Sequence, residues 1–116
     1  MLLGRQEVNP DKPDDYGMTP LSLAAWRGHA GVVKVLLGRE EVDPSKPDKN
    51  GKTPLSYAAQ YGHEQVAKIL LGQDEVNPNK PTNSGQTPLM YATRSRHKKV
   101  IALLQPYDEA TTPTDP

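Results

Sequence analysis

The sequence predicts an all-α protein, an α-solenoid in which short helix pairs stack side by side. Three observations carry that prediction. The tripeptide Thr-Pro-Leu recurs at Thr19, Thr53 and Thr87, 34 residues apart each time. Written in register from Leu2, Leu36 and Leu70, units one and two agree at 21 of 34 positions, and units two and three at 16 of 34. Each unit also carries two apolar stripes shorter than the ~12–15 residues at which an isolated helix becomes even marginal in water, so each stripe must bury itself against a neighbouring unit. The predicted organisation is one domain over residues 1–105, with units at about 2–35, 36–69 and 70–104. A polar C-terminal tail, expected to be mobile, follows over 106–116.

Within a unit the first helix is predicted to start at Thr19, Thr53 or Thr87, where a hydroxyl can cap free backbone amides. Proline follows at the first helical position, where its missing N–H costs nothing. Leu21, Ala24 and Ala25 then form a narrow stripe whose alanines let a neighbouring helix approach closely. Gly28 and Gly62 stop this helix by supplying a left-handed residue just past its end. The second helix is predicted from about His29 to Leu37, with Val32, Val33, Leu36 and Leu37 at helical spacing, and Gly38 and Gly72 end it. About fifteen residues separate Gly38 from Thr53, too many for a structureless connector. Val42, Pro44, Pro47 and Gly51 recur there, which predicts an ordered finger with a tight turn at Asn50-Gly51.

Composition fits this architecture once the repeat is seen. Leu, Ile, Val and Phe make up only 22 of the 116 residues, and there are 12 prolines. Alone, these figures lean toward disorder. But nine of the prolines fall in three repeated columns, at Pro10/Pro44/Pro78, Pro13/Pro47/Pro81 and Pro20/Pro54/Pro88. They punctuate structure. Fourteen basic and fourteen acidic residues give a net charge of zero, which argues against a general polyanion binder. No apolar run approaches the ~18–20 residues needed to span a bilayer, and Met1-Leu2-Leu3-Gly4-Arg5 does not read as a secretory signal. The absence of cysteine excludes a disulfide framework and a thiolate metal site.

Thr53-Pro54-Leu55, Ala58-Ala59, Gly62-His63, Val66, Leu70-Leu71, Val76-Asn77 and the preceding Asp48-x-x-Gly51 together resemble the ankyrin repeat, and the pattern returns three times over residues 2 to about 104. The resemblance implies helix–turn–helix units joined by β-hairpin-like finger loops. Two departures stand out. The period is 34 where the family usually has 33, and the histidine that normally follows Thr-Pro-Leu is replaced by Ser22, Ser56 and Met90. Its hydrogen bond to the threonine must therefore be weakened or replaced. The loop form Glu-Val-Asn/Asp-Pro-x-Lys-Pro looks most like the self-similar ankyrin arrays of fungal multidomain proteins.

His29, His63 and His97 share one column and invite a metal reading. Packed helices lie about 8–10 Å apart, whereas ligands to one zinc sit ~2.0–2.1 Å from it, so the column is read as bonding backbone at the start of helix two. No metal or cofactor is expected. No glycine-rich phosphate loop, serine elbow or histidine–carboxylate pairing appears, so no catalytic residue is assigned and the chain is read as a non-enzyme. The run Arg94-Ser95-Arg96-His97-Lys98-Lys99 has four positive charges and no acid. Without interleaved aromatics it reads as the solvated face of the last unit, with nucleic-acid contact as the lesser reading.

By resemblance, the expected activity is binding of a protein partner on a concave groove of fingertips and first helices. The groove positions are Asp15, Tyr16, Met18, Trp26 and Arg27 in unit one, Lys49, Asn50, Lys52, Gln60 and Tyr61 in unit two, and Asn83, Ser84, Gln86, Arg94 and Ser95 in unit three. These are where the units differ most, as a recognition face on a constant frame requires. Trp26, Tyr61 and Arg94 are the expected anchors, since aromatic and arginine side chains dominate binding energy. Tyr57 and Tyr91, with Leu23 in the same column, are expected to fill the gap between units. The alternative is a structural or regulatory spacer from a longer array, or an engineered scaffold, with no ligand of its own. Met1 falls in mid-helix of an incomplete unit, which favours a fragment whose exposed array ends self-associate. The expected compartment is the cytoplasm, with the nucleus left open.

Overall fold

The structure, a computed structural model, describes residues 9–108. The expectation placed on Met1 and most of the predicted tail, 109–116, lie outside those residues. Among the described residues six α-helices follow in three pairs: α1 (Pro20–Arg27) with α2 (Ala30–Leu37), α3 (Pro54–Tyr61) with α4 (Glu64–Leu71), and α5 (Pro88–Arg94) with α6 (Lys98–Leu104). A single 3₁₀ turn, Gln105–Tyr107, closes the described chain. First helices stack in one row, α1 on α3 on α5, and second helices in another, α2 on α4 on α6. This is the predicted helical solenoid.

Each first helix starts as its sequence dictates. The hydroxyls of Thr19, Thr53 and Thr87 accept from the backbone N–H of Ser22, Ser56 and Met90, with proline at the first helical position. The family's missing histidine is replaced by serine: the Thr19 hydroxyl donates to Ser22 Oγ at 3.2 Å, and Ser56 Oγ accepts from the Thr53 N–H to complete a capping box. Met90 has no hydroxyl and leaves only the backbone bond, at 3.3 Å. Gly28 and Gly62 end α1 and α3 in the left-handed conformation, at φ 76° and 74°. Gly38 and Gly72 end the second helices differently, at φ −76° and −78°, where any residue fits.

The core is a thin seam between the rows. Leu21, Leu55, Val33, Val66, Leu70, Val100 and Leu104 are buried, together with Ala25, Ala58, Ala59 and Ala92. Full burial of one leucine or valine stabilises by about 1.5–3 kcal/mol. With alanine at the helix contacts, neighbouring units come close without needing many bulky groups. Tyr57 is buried between units as expected, whereas Tyr91 and Leu23 are half-buried.

The fingers are turns. Among the described residues there is no strand, and each tip closes through an N–H at Asp14, Asp48 or Thr82 donating to the carbonyl four residues on, at 2.9 Å. Asp14 and Asp48 each lock their tip through Oδ1, which accepts from two backbone N–H groups at 2.9 Å. Consecutive tips are tied together: Lys49 N–H donates to Tyr16 O at 3.1 Å and Asn83 N–H to Asn50 O at 3.0 Å. The loops behind them are tied as well, through Asp11 Oδ2 to Asp43 N and Ser45 Oγ to Asn77 N.

Candidate functional site

The histidine column sets the distance between units. His63 Nε2–H donates to the carbonyl of Trp26 at 2.8 Å, and His97 Nε2–H to that of Gln60 at 3.0 Å. The expected bond to backbone is there, but it reaches the end of the preceding unit's first helix, and no histidine side chain caps its own helix. The imidazole needs room to do this. A Cβ at Gly28 would stand 2.6 Å from His63 Nδ1, and one at Gly62 2.5 Å from His97 Nδ1. The two glycines are therefore required twice, by their φ and by the ring that packs on them.

That bond fixes the helix ends where two expected anchors meet. The rings of Trp26 and Tyr61 lie 6.3 Å apart, centre to centre, tilted at 55°, and Arg27 covers Trp26 at 5.7 Å. Trp26 remains 38% exposed and Tyr61 44%, so their mutual packing leaves a large aromatic area facing solvent. Arg94, the third expected anchor, is exposed on the same edge one unit further on.

A second group forms around Lys52. Its ammonium bonds Gln60 Oε1 and sits over two tyrosine rings, 4.3 Å from Tyr57 and 5.1 Å from Tyr91. Cation–π contact of this kind stabilises by roughly 0.5–2 kcal/mol. Burial pushes the Lys52 pKa down, and the nearby Asp48 carboxylate partly restores it. Tyr57 donates its hydroxyl to Asp48 Oδ2, and burial first, then that bond, pushes its pKa well up. Sequence reading assigned Tyr57 and Tyr91 only to gap filling and missed this cluster. The signal was present, since only unit two combines an aspartate at the finger base, a lysine four residues on and a tyrosine after that.

The fingertips supply the third group. Tyr16, Lys49, Asn50 and Asn83 are exposed and joined through the ladder described above, with Asn83 Nδ2 also donating to Lys49 O at 2.9 Å. Tyr16 is 73% exposed. Of the remaining expected positions, Asp15, Ser84 and Ser95 are exposed, while Met18 packs against the core and is half-buried. Gln86 occupies the Lys52 column but finds no tyrosine pair, and its Oε1 is buried without a partner among the described residues.

The basic run lies elsewhere. Arg96, Lys98 and Lys99 line a cleft of about 330 Å³ with Gly62, Glu64 and His97. The same cleft, about 260 Å³, occurs one unit earlier between Gly28, His63, Glu64 and Val66. It is a recurring gap between units, which matches the reading of the run as a solvated face.

Short helix pairs stacked in register, with turn-closed fingers tied tip to tip, define a helical-repeat scaffold. Residues 40–115 match the family model for ankyrin repeats (3 copies), and residues 2–58 match that for ankyrin repeats (many copies). The chain belongs to the ankyrin repeat family. A comparison with curated proteins found no match. Ankyrin repeats are in general protein–protein interaction modules and typically non-catalytic. Among the described residues, no helix is long and apolar enough to cross a membrane.

Proposed function

We propose that this chain is a non-catalytic module that binds a protein partner on the face formed by its fingertips and first helices. The observation that carries the proposal is the half-exposed Trp26–Tyr61 pair, flanked by Arg27 and held in place by the His63 bond to the Trp26 carbonyl. Large, rigid aromatics that stay solvent-accessible in the unbound protein are the side chains that most often anchor an interface. Lys52, fixed over two tyrosines, adds a charge of defined position beside them. A cytoplasmic setting accords with the absence of cysteine.

The test is Trp26→Ala combined with Tyr61→Ala in pull-downs from the source extract. A partner captured by the parent chain should be lost, by tenfold or more, while the helical circular-dichroism spectrum stays unchanged. Undiminished capture by the folded double variant would sink the proposal. Arg94→Ala should weaken the same capture through the third anchor.

A further inference from the structure

The two ends of the array are not alike. On the side of each unit turned toward its predecessor, Val66 and Val100 are each 1% exposed, whereas Val32 in the same column is 48% exposed. Val35 is 71% exposed, although Ile69 and Leu103 in its column are packed against the core. His63 and His97 reach the preceding unit, but the His29 ring has no hydrogen-bond partner among the described residues. Unit one therefore carries the whole receiving half of a unit–unit interface, apolar valines and imidazole included, with nothing described upon it.

The opposite end has lost the donating half. Ala25 and Ala59, fully buried beneath the next unit, are replaced by exposed Thr93. The Gly28 and Gly62 column holds Arg96, which keeps the left-handed backbone at φ 61°. Its Cβ stands where the next histidine ring would have to lie, since a Cβ at either glycine would fall 2.5–2.6 Å from that ring. The loop tie is diverted too: Asn79, in the column of Asp11 and Ser45, donates to Tyr107 O of the 3₁₀ turn.

We infer that the array is closed at its C-terminal face and open at its N-terminal face, which docks a further ankyrin-type helix pair in the register of the two interfaces already present. The occupant must end its first helix in a glycine of positive φ, with a carbonyl offered to His29 and a small residue in the Ala25 column. A second copy of this chain does not meet that description end to end, because its outward face bears Thr93 and Arg96.

Two fusions of equal composition test this. In one, a second copy of residues 36–69 is placed directly before Leu2. In the other, the same copy is inserted between Leu103 and Leu104. Urea unfolding followed by circular dichroism should show a raised midpoint for the first and none for the second. Adding Thr93→Ala and Arg96→Gly to the second should then raise its midpoint by more than the same pair raises that of the parent chain, where relief of the Arg96 backbone strain acts alone. Equal stabilisation by both fusions, or none by the first, overturns the inference. So does sedimentation of the parent chain as a dimer that Val35→Glu dissociates, since the open face would then be covered by a second copy.

Discussion

Replacing Gly62 by alanine separates two reasons for a glycine that sequence alone merges. The residue sits at φ 74°, and an L-residue in that region costs roughly 1–2 kcal/mol. The new methyl would also lie 2.5 Å from His97 Nδ1, well inside contact distance, so the ring must move and its 3.0 Å bond to the Gln60 carbonyl is lost. A typical hydrogen bond contributes about 1 kcal/mol net, so the expected cost is about 2–3 kcal/mol. Gly85 is the internal control, with φ 84° and nothing within 4 Å of its Cβ position. Gly85→Ala should carry the backbone cost alone. Urea unfolding monitored by circular dichroism at fixed protein concentration reads both, and the midpoints should differ by the lost inter-unit contact. In a His97→Ala background the excess at position 62 should vanish, because the ring that clashes is gone. Equal costs at 62 and 85, or an excess that survives His97→Ala, would refute the stacking argument.

Arg96→Gly should stabilise the chain by about 1 kcal/mol, because it removes the strain of a non-glycine residue at φ 61° without disturbing a described packing partner; a lowered urea midpoint would contradict this. Tyr57→Phe should cost about 2 kcal/mol, the usual value for removing a hydrogen bond to a buried charged group, here Asp48 Oδ2. The Tyr57 hydroxyl also has a pH signature, set first by its burial and then by that bond. The folded pKa of Tyr57 is raised, so the folded chain holds this proton longer than the unfolded chain, and the resulting stability is complete below about pH 10 and lost as pH rises above it. Lys52 runs the other way, since its lowered pKa makes stability rise with pH over the interval just below the ordinary lysine value. Tyrosinate absorbance should therefore show one of the five tyrosines ionising late, and Tyr57→Phe should remove that late step.

The frame was legible because its constraints are local and repeated. Thr-Pro-Leu announces a capped helix start, and Gly28 announces a left-handed stop, each from chemistry contained within a few residues. The finger tips followed from the recurring prolines and the Asn50-Gly51 pair for the same reason, although they close as single turns without strand pairing. What could not be read was anything that depends on which columns meet across units. Gly28 and His63 lie 35 positions apart, and no local pattern says that one ring occupies the other's missing side chain. Tyr57 illustrates the same limit. Its burial followed from the column, but its bond to Asp48 and its shared grip on Lys52 required knowing how the finger folds back on α3. The asymmetry of the two ends was half visible, since a run of arginine and lysine marks unit three, yet only the position of a Cβ shows that Arg96 obstructs a further unit.

The frame and the recognition face also share atoms, which constrains how this protein can vary. The carbonyl that receives His63 belongs to Trp26, the first expected anchor, and the one that receives His97 belongs to Gln60, which also holds Lys52. Both bonds use backbone, so the side chain at that column is free to change from tryptophan to glutamine to arginine while its position along the array stays fixed. A side-chain acceptor there would have tied identity to stacking. Because a main-chain group carries the inter-unit bond, each unit presents a different residue at the same spacing, and the Trp26–Tyr61 pair arises from two adjacent columns in successive units. Variation in what is recognised therefore costs the stack little, whereas any change at His63, His97 or the glycines beneath them alters both stability and the geometry of the face.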